Sequence, residues 1–166
     1  LVGFQTGDKI ISVDNKPIHY FNDLKIEILL GHTVQIDRNG EKVEIKLPQD
    51  FIDQIATNEK FFFIDIRRPA FFQFSPESVN KNVDIKANDR IIGINDSIKI
   101  TYYDEFQTQL KQFKNQSVVL NVERNNQIIK VTVKVNENSR VGAVLVDVPE
   151  EELEKMGFVS KKKKKY

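Results

Sequence analysis

The chain has no cysteine. That excludes a disulfide scaffold and a thiolate metal site, and leaves the compartment open. Histidine is nearly absent as well. His19 and His32 are the only two, and neither stands in an H-E-x-x-H spacing. Two imidazoles without an organised carboxylate do not make a zinc site. Seven glycines form no Gly-rich phosphate loop, and no serine sits in a G-x-S-x-G elbow. No apolar run approaches the roughly 18 residues needed to span a bilayer, and no signal peptide is visible. The carboxylates are many but scattered. These absences leave no catalytic residue, cofactor site or metal site to assign within this stretch.

What remains is the composition of an ordinary globular chain, 40% hydrophobic and 30% charged. The net charge of +1 hides an asymmetry. Lys161, Lys162, Lys163, Lys164 and Lys165 are five of the 25 basic residues, so the rest of the chain carries 20 basic against 24 acidic ones. A nucleic-acid interface would spread Lys and Arg over one face with aromatics between them. That pattern is missing, and no nucleic-acid partner is expected.

The chain says one thing twice. Gly7-Asp8-Lys9-Ile10-Ile11-Ser12-Val13-Asp14-Asn15 returns as Asn88-Asp89-Arg90-Ile91-Ile92-Gly93-Ile94-Asn95-Asp96. His19-Tyr20-Phe21-Asn22-Asp23-Leu24 matches Thr101-Tyr102-Tyr103-Asp104-Glu105-Phe106, and Asp37-Arg38-Asn39-Gly40 matches Glu123-Arg124-Asn125-Asn126. A repeat of about 80 residues is too long for a solenoid unit of roughly 20–50. It has the size of a small domain. Residues 1–67 are read as a first module, 68–148 as a second, and 149–166 as a short helix with a Lys-rich tail.

Each copy predicts the same order. A β-branched strand follows the Asp (Lys9 to Val13, Asp89 to Ile94). A helix follows, with Asn22 or Asp104 as its cap and Gln107 at the capping-box position of the second copy. Leu24 and Ile28 share one helical face, and Phe106, Leu110 and Phe113 make a clearer stripe. Asn39-Gly40 and Asn125-Asn126 are hairpin turns, because both positions need positive φ. Phe61 to Ile66 reads as the closing strand of the first copy and Val141 to Val148 as that of the second. The segment Ala70 to Asp84 has a counterpart in the first module only if chain precedes Leu1, so the first module is expected to lack its first strand. Asp8 and Asp89 are read as strand-entry residues bonding nearby backbone amides, and His19 as a surface residue.

Phe71, Phe72 and Phe74 predict a strand with Phe72 and Phe74 on one face and Phe71 on the other. Core packing is the default for such residues. A strand this apolar beside the stripe of Phe106 and Leu110 also describes a groove to which an extended peptide adds itself as a strand.

Strand, Gly-Asp-x-Ile-x-x-Val-Asp-Asn, helix, hairpin and closing strand together resemble the bacterial-type, circularly permuted PDZ domain. The resemblance covers about residues 1–148. It implies an α+β, mainly β fold, with each module a small, partly open barrel or sandwich capped by helices. Asn88 and Asp84 stand where the family prefers Gly, so the second loop is expected to differ in shape. The resemblance also implies where a peptide groove would lie. In module two it would use Arg67, Arg68, Ala70, Phe71, Phe72, Phe74, Phe106, Gln109, Leu110 and Phe113, with Arg67 to Ala70 as the carboxylate loop. In module one the groove helix would present Leu24, Glu27 and Ile28.

Tandem PDZ modules that abut at a seam such as Arg67-Arg68-Pro69 are similar to the pair found in membrane-embedded site-2 zinc metalloproteases of the RseP type. Pro48-Gln49-Asp50-Phe51-Ile52 and the stretch from Gly157 to Tyr166 resemble short segments of that family. The resemblance implies a non-catalytic, monomeric tandem on the periplasmic side of the bacterial inner membrane. It would filter access of anti-sigma-factor or signal-peptide-like membrane substrates to regulated intramembrane proteolysis. Its partners would be such protein or peptide substrates and the parent's own transmembrane domain, where the catalytic zinc belongs. Lys161 to Lys165 would be a solvated end or a membrane-proximal anchor. Two rival readings stay open: a substrate-recruiting tandem of an HtrA-type serine protease, and a scaffold that binds C-terminal peptides.

Overall fold

The computed structural model describes residues 2–19, 21–57 and 67–158. They form two compact units, the second beginning at Arg67. Both are mainly β with added helices, and among the described residues the sheets are open and none closes into a barrel. The expected strand Phe61 to Ile66 and the lysines Lys161 to Lys165 lie outside the described residues.

The first unit runs β1 (Lys9–Val13), β2 (Lys16–Pro17), α1 (Phe21–Leu30), β3 (Thr33–Arg38), β4 (Glu41–Lys46) and α2 (Phe51–Thr57). Its antiparallel sheet has the order β2-β1-β3-β4. Val34 and Ile36 alternate inward from β3, and Val13, Ile45, Leu47 and Phe51 meet them. The helix closes this core with Leu24 and Ile28, one turn apart. It already includes Phe21, so Asn22 lies inside its first turn and not at its cap. The hairpin between β3 and β4 turns on Asn39 (φ 54°) and Gly40 (φ 88°), as the dipeptide predicts.

The second unit repeats this plan, with further elements at both ends among the described residues. β5 (Phe72–Phe74) comes first. Then follow β6 (Arg90–Ile94), β7 (Ile98–Lys99), α3 (Tyr103–Leu110), a 3₁₀ turn (Lys111–Phe113), β8 (Ser117–Arg124) and β9 (Gln127–Lys134), with β10 (Ala143–Leu145) and α4 (Glu150–Lys155) at the end. The sheet order β7-β6-β8-β9 copies that of the first unit, while β5 and β10 form a separate antiparallel pair. Even the irregularities recur. The pairing of β1 with β3 slips between Ile10 and Ser12, and that of β6 with β8 slips between Ile91 and Gly93. The turn after each first strand is held in one way: Asp14 Oδ1 accepts the Thr33 amide at 2.8 Å, and Asn95 Oδ1 accepts the Val119 amide at 2.8 Å.

The repeated Asp has a larger task than holding a loop amide. Asp8 accepts the Gln5 amide and is gripped by both arms of Arg38, Nε and NH2, each at 2.8 Å. Asp89 accepts the Lys86 amide and is gripped by Arg124 at 2.7 and 2.6 Å. In both copies the arginine also reaches the carbonyl of the residue five before the Asp, Gly3 at 2.7 Å and Asp84 at 2.9 Å. The loops therefore share their hydrogen bonds although Gly3 and Gly7 have become Asp84 and Asn88. They differ locally, since Gly7 takes φ 95° and Asn88 takes no left-handed φ. The Asp84 carboxylate adds a contact with Arg124 at 2.9 Å.

Segment Ser75 to Asp84 is stapled by two buried polar side chains. Ser78 Oγ donates to the Val141 carbonyl, and Asn80 exchanges bonds with the Lys134 backbone in both directions. Gly142 is compelled here: it has φ 73°, and a Cβ would come within 2.6 Å of the Ser78 side chain. The polar run at Ser75-Pro76-Glu77-Ser78 forms turns.

Two outcomes follow from the paired forks. Removing one partner of a buried charge pair strands the other, typically at about 3–5 kcal/mol. The Asp89 side chain is fully buried, so Arg124→Ala is expected to destabilise the second unit by that order. Arg124→Lys should recover only part of the loss, because an ammonium cannot fork. Hydrogen exchange of β6 and β8 amides under mild denaturant reads both. The second outcome concerns acid. The Arg38 fork holds the Asp8 carboxyl below its ordinary 3.8 against the opposing effect of burial. For Asp89 burial is the largest influence and pushes upward, but Arg124 and the Lys86 amide together outweigh it, and the net shift is downward. A depressed carboxyl contributes stability that is complete above its unfolded value and lost as pH falls through its folded one. Urea midpoints should therefore fall as pH drops below about 3.8, and Asp89→Asn should flatten that acid slope in the second unit. An unchanged slope would count against the pair as the acid-sensitive element.

Candidate functional site

The expected groove lies between β5 and α3 in the second unit, and its two sides are joined at one end. Tyr103 N donates to the Arg68 carbonyl at 2.9 Å, and Pro69 bridges to Tyr102. Glu105 starts the helix by accepting the Thr101 and Tyr102 amides at 2.9 and 3.1 Å. This corrects two expectations. Asp104 does not cap α3 but lies within its first turn, and Gln107 donates to the Tyr103 hydroxyl at 2.7 Å and not to a cap. Burial raises the Tyr103 hydroxyl above its ordinary value, with the Gln107 bond opposing.

Asp104 is instead the partner of Arg67. The guanidinium forks it through Nε at 3.1 Å and NH2 at 2.7 Å, touches Glu105 at 3.4 Å, and stands 4.2 Å from the Tyr102 ring centre. The hydrogen bond to Asp104 raises the Arg67 pKa against the effect of burial. Arg68 pairs with Asp147 at 2.6 Å, but Asp147 is 94% exposed, so this contact contributes little. The carbonyls of Arg68, Pro69 and Ala70 in the expected carboxylate loop all accept backbone amides. Pro69 has no amide to give. The Phe71 amide folds back to the Pro69 carbonyl, and the Ala70 carbonyl accepts from Ile91.

Between strand and helix the space is filled. Phe72 is fully buried and stacks on fully buried Phe106, with ring centres 5.1 Å apart. Phe74 meets Phe72 edge-on at 5.5 Å, on the face the alternation predicts, and Tyr103 closes the other side at 6.3 Å. Ala70 and Leu110 are fully buried in the same cluster, and Phe113 packs partly buried against it. Phe71 is also buried. Gln109 stands at the rim, bonded to Gln112 at 2.7 Å. β5 is paired along one edge, and the residue before it is bridged on the other side. The pairing is with β10, and the bridge joins Phe71 to Arg90.

In the first unit, Leu24 and Ile28 face the core and Glu27 is half-buried. Ile26 and Leu30 of the same helix are exposed. His19 is exposed, and His32 stands 3.3 Å from Asp14. The amide of Thr33, then that of His32, hold the Asp14 carboxyl down to about 2. Among the described residues, no group of three or more His, Cys, Asp or Glu is placed to hold a metal, and no helix is long and apolar enough to cross a membrane.

Sequence reasoning missed Tyr102, Asp104 and Glu105 as partners of Arg67. They lie more than 30 residues away and carry no local signal. It also missed Phe158, whose ring meets Tyr102 edge-on at 5.7 Å.

No protein-family model matches the chain, and no curated protein matches it.

The filled crevice makes an ordering prediction. Phe106→Ala removes a fully buried ring and should cost about 3–5 kcal/mol. Arg67→Ala removes a half-exposed ion pair and should cost about 1 kcal/mol. Denaturant titration followed by hydrogen exchange in the second unit would show this order, and the reverse order would mean that the ion pair organises the crevice.

Proposed function

We propose that the chain is a pair of PDZ-like modules from the periplasmic part of a site-2 zinc metalloprotease of the RseP type. It acts there as a non-catalytic filter over the membrane-embedded site. The observation that carries this reading is the crevice between β5 and α3. Its own Phe72 and Phe106 fill it, and its loop groups are engaged by Asp104, Tyr103 and Ile91. A groove so occupied is poorly disposed to grip a substrate C-terminus and well suited to exclude bulk. The doubled scaffold supports the same reading. The ionic groups that recur, Asp8 with Arg38 and Asp89 with Arg124, are spent on shape.

In this proposal the chemistry belongs to the parent's membrane domain and its zinc, and substrates are membrane proteins whose outer portion has already been trimmed. Lys161 to Lys165 would lie near anionic lipid, each lysine adding about 1 kcal/mol of attraction.

The test is to delete residues 1–148 from the parent protease and follow cleavage of one membrane substrate with and without its outer domain. The expected result is that the trimmed substrate is still cut and the untrimmed one becomes a substrate too. Loss of cleavage of the trimmed substrate would overturn the filter and favour a recruiting tandem, as in HtrA-type proteases.

A further inference from the structure

The two units treat the open edge of their shared sheet differently. β4 and β9 hold the same last place in the orders β2-β1-β3-β4 and β7-β6-β8-β9, and neither has a second neighbour among the described residues. The hairpins close on Arg38 with Glu41 and on Arg124 with Gln127, which sets Lys42, Glu44 and Lys46 level with Ile128, Lys130 and Thr132. On β4 all three of these exposed positions are charged, a common protection of an edge against a foreign strand. On β9 only Lys130 is charged, and it already has an acid of its own unit, Asp96 at 2.7 Å. Ile128 is 66% exposed. Ile129 and Val131, on the core side of the strand, are only half-buried. The backbone of β9 is open along this edge. Asn80 exchanges bonds with the Lys134 N–H and C=O, each at 2.8 Å, so these groups point away from β8. In an antiparallel strand every second residue points its backbone the same way. That places the N–H and C=O of Thr132, Lys130 and Ile128 on the open side, where no group bonds them among the described residues. Asn80 does for Lys134 what a neighbouring strand would do, and it stops there.

We infer that the β9 edge is a self-association surface, and that its partner is the β9 edge of a second copy of this chain, paired antiparallel about a two-fold axis. Charge selects the register. Centred on Lys130, the pairing would set two ammonium groups directly opposite each other, which is destabilising. Centred on Val131, it would carry Ile128 onto Lys134 of the second copy, whose backbone Asn80 already holds. Centred on Ile129, it sets each Ile128 opposite the Lys130 of the other copy. The lysine stem then covers the isoleucine while its ammonium stays with Asp96. On the core side the two Ile129 side chains meet and lose their remaining contact with water. Ile128 and Lys130 supply backbone donors and acceptors in both directions. The arrangement is isologous, so it closes at two copies. The contact is small, and the pairing is therefore weak and concentration-dependent. This departs from the monomer that the family resemblance implies, and it does not depend on what the crevice of the second unit does.

The test uses the full chain. Sedimentation equilibrium from about 1 μM to about 1 mM, the range of weak reversible pairing, should show monomer giving way to dimer. Hydrogen exchange at the two ends of that range should show the Ile128 and Lys130 amides slowed at least about tenfold in the dimer, while those of Lys42 and Glu44 on β4 stay unchanged. Ile128→Lys restores the charge that β4 carries at this place and sets it opposite Lys130 of the other copy. It should weaken the dimer at least about tenfold. Adding Lys130→Glu sets unlike charges opposite each other and should recover most of that loss. Both side chains are exposed, and protection of the β8 amides checks that each variant keeps its fold. A chain that stays monomeric at the highest concentration would overturn the inference. So would a dimer in which the Ile128 and Lys130 amides exchange as in the monomer, since another surface would then join the copies. A double variant as weak as Ile128→Lys alone, with β8 still protected, would overturn the register centred on Ile129.

Discussion

A buried carboxylate at the head of the first sheet strand needs a cation, and in each unit the end of the third element of that sheet supplies it. Most of the local architecture hangs on this pairing. The Asp ends the entry loop by accepting an amide three residues back. The Arg stands at the last paired position of its strand, next to the hairpin. Linking them ties the loop, the start of β1 or β6, and the turn of β3–β4 or β8–β9 into one corner. Replacing such a pair by apolar residues would often cost nothing in stability, so the fork is better understood as setting register. A slip of one residue turns a strand's whole hydrophobic face outward. With Val34 and Ile36, or Val118, Leu120 and Val122, all facing inward, the fork and the hydrophobic pattern specify the same alignment.

Given that shared frame, the two units differ in what sits beside the helix. The first places Leu24 and Ile28 against its sheet and leaves Ile26 and Leu30 in solvent. The second turns Phe106 and Leu110 inward and keeps polar Thr108 and Gln112 outward. The extra ring of Phe106 is matched by Phe72 of β5, a strand without a counterpart among the described residues of the first unit. β5 and the larger helix residue therefore belong together. Without Phe72, the Phe106 ring would lose its stacking partner and part of its burial.

How much of this was legible depended on range. The turns at Asn39-Gly40 and Asn125-Asn126 were readable because two adjacent residues determine them. The strands were readable because alternation is local, and the repeat made the four strands of each main sheet and the helix between them visible twice. The forks were not readable as contacts, although their four residues were all in the matched segments, because Asp8 and Arg38 lie 30 residues apart and Asp89 and Arg124 lie 35 apart. The helix cap went astray by a subtler route. Asp104 is a good cap residue, but Glu105 reaches back across two amides, and that shifts the start of α3 to Tyr103. Asp104 is thereby released to hold Arg67. One misplaced cap thus hid the principal ion pair of the candidate site.

The same cascade bears on what the crevice can do. A carboxylate-binding loop needs free amides and an uncommitted cation at the mouth of a groove. Here the shift of the helix start commits the cation to Asp104, Pro69 supplies no amide, and Phe71 bonds back within the loop. Each of these is a local preference, yet they converge on one corner, and Phe158 arrives at that corner from α4. Convergence of this kind matters for a filter. A module that excludes by shape must keep its loops from reaching out, and internal hydrogen bonds do so without adding bulk. A recruiting module needs the opposite, since unsatisfied donors at the groove mouth are what a terminal carboxylate would satisfy. In this corner Pro69 has no amide, the Phe71 amide is bonded to the Pro69 carbonyl and the Arg67 guanidinium to Asp104, and these commitments weigh toward exclusion in the proposed reading.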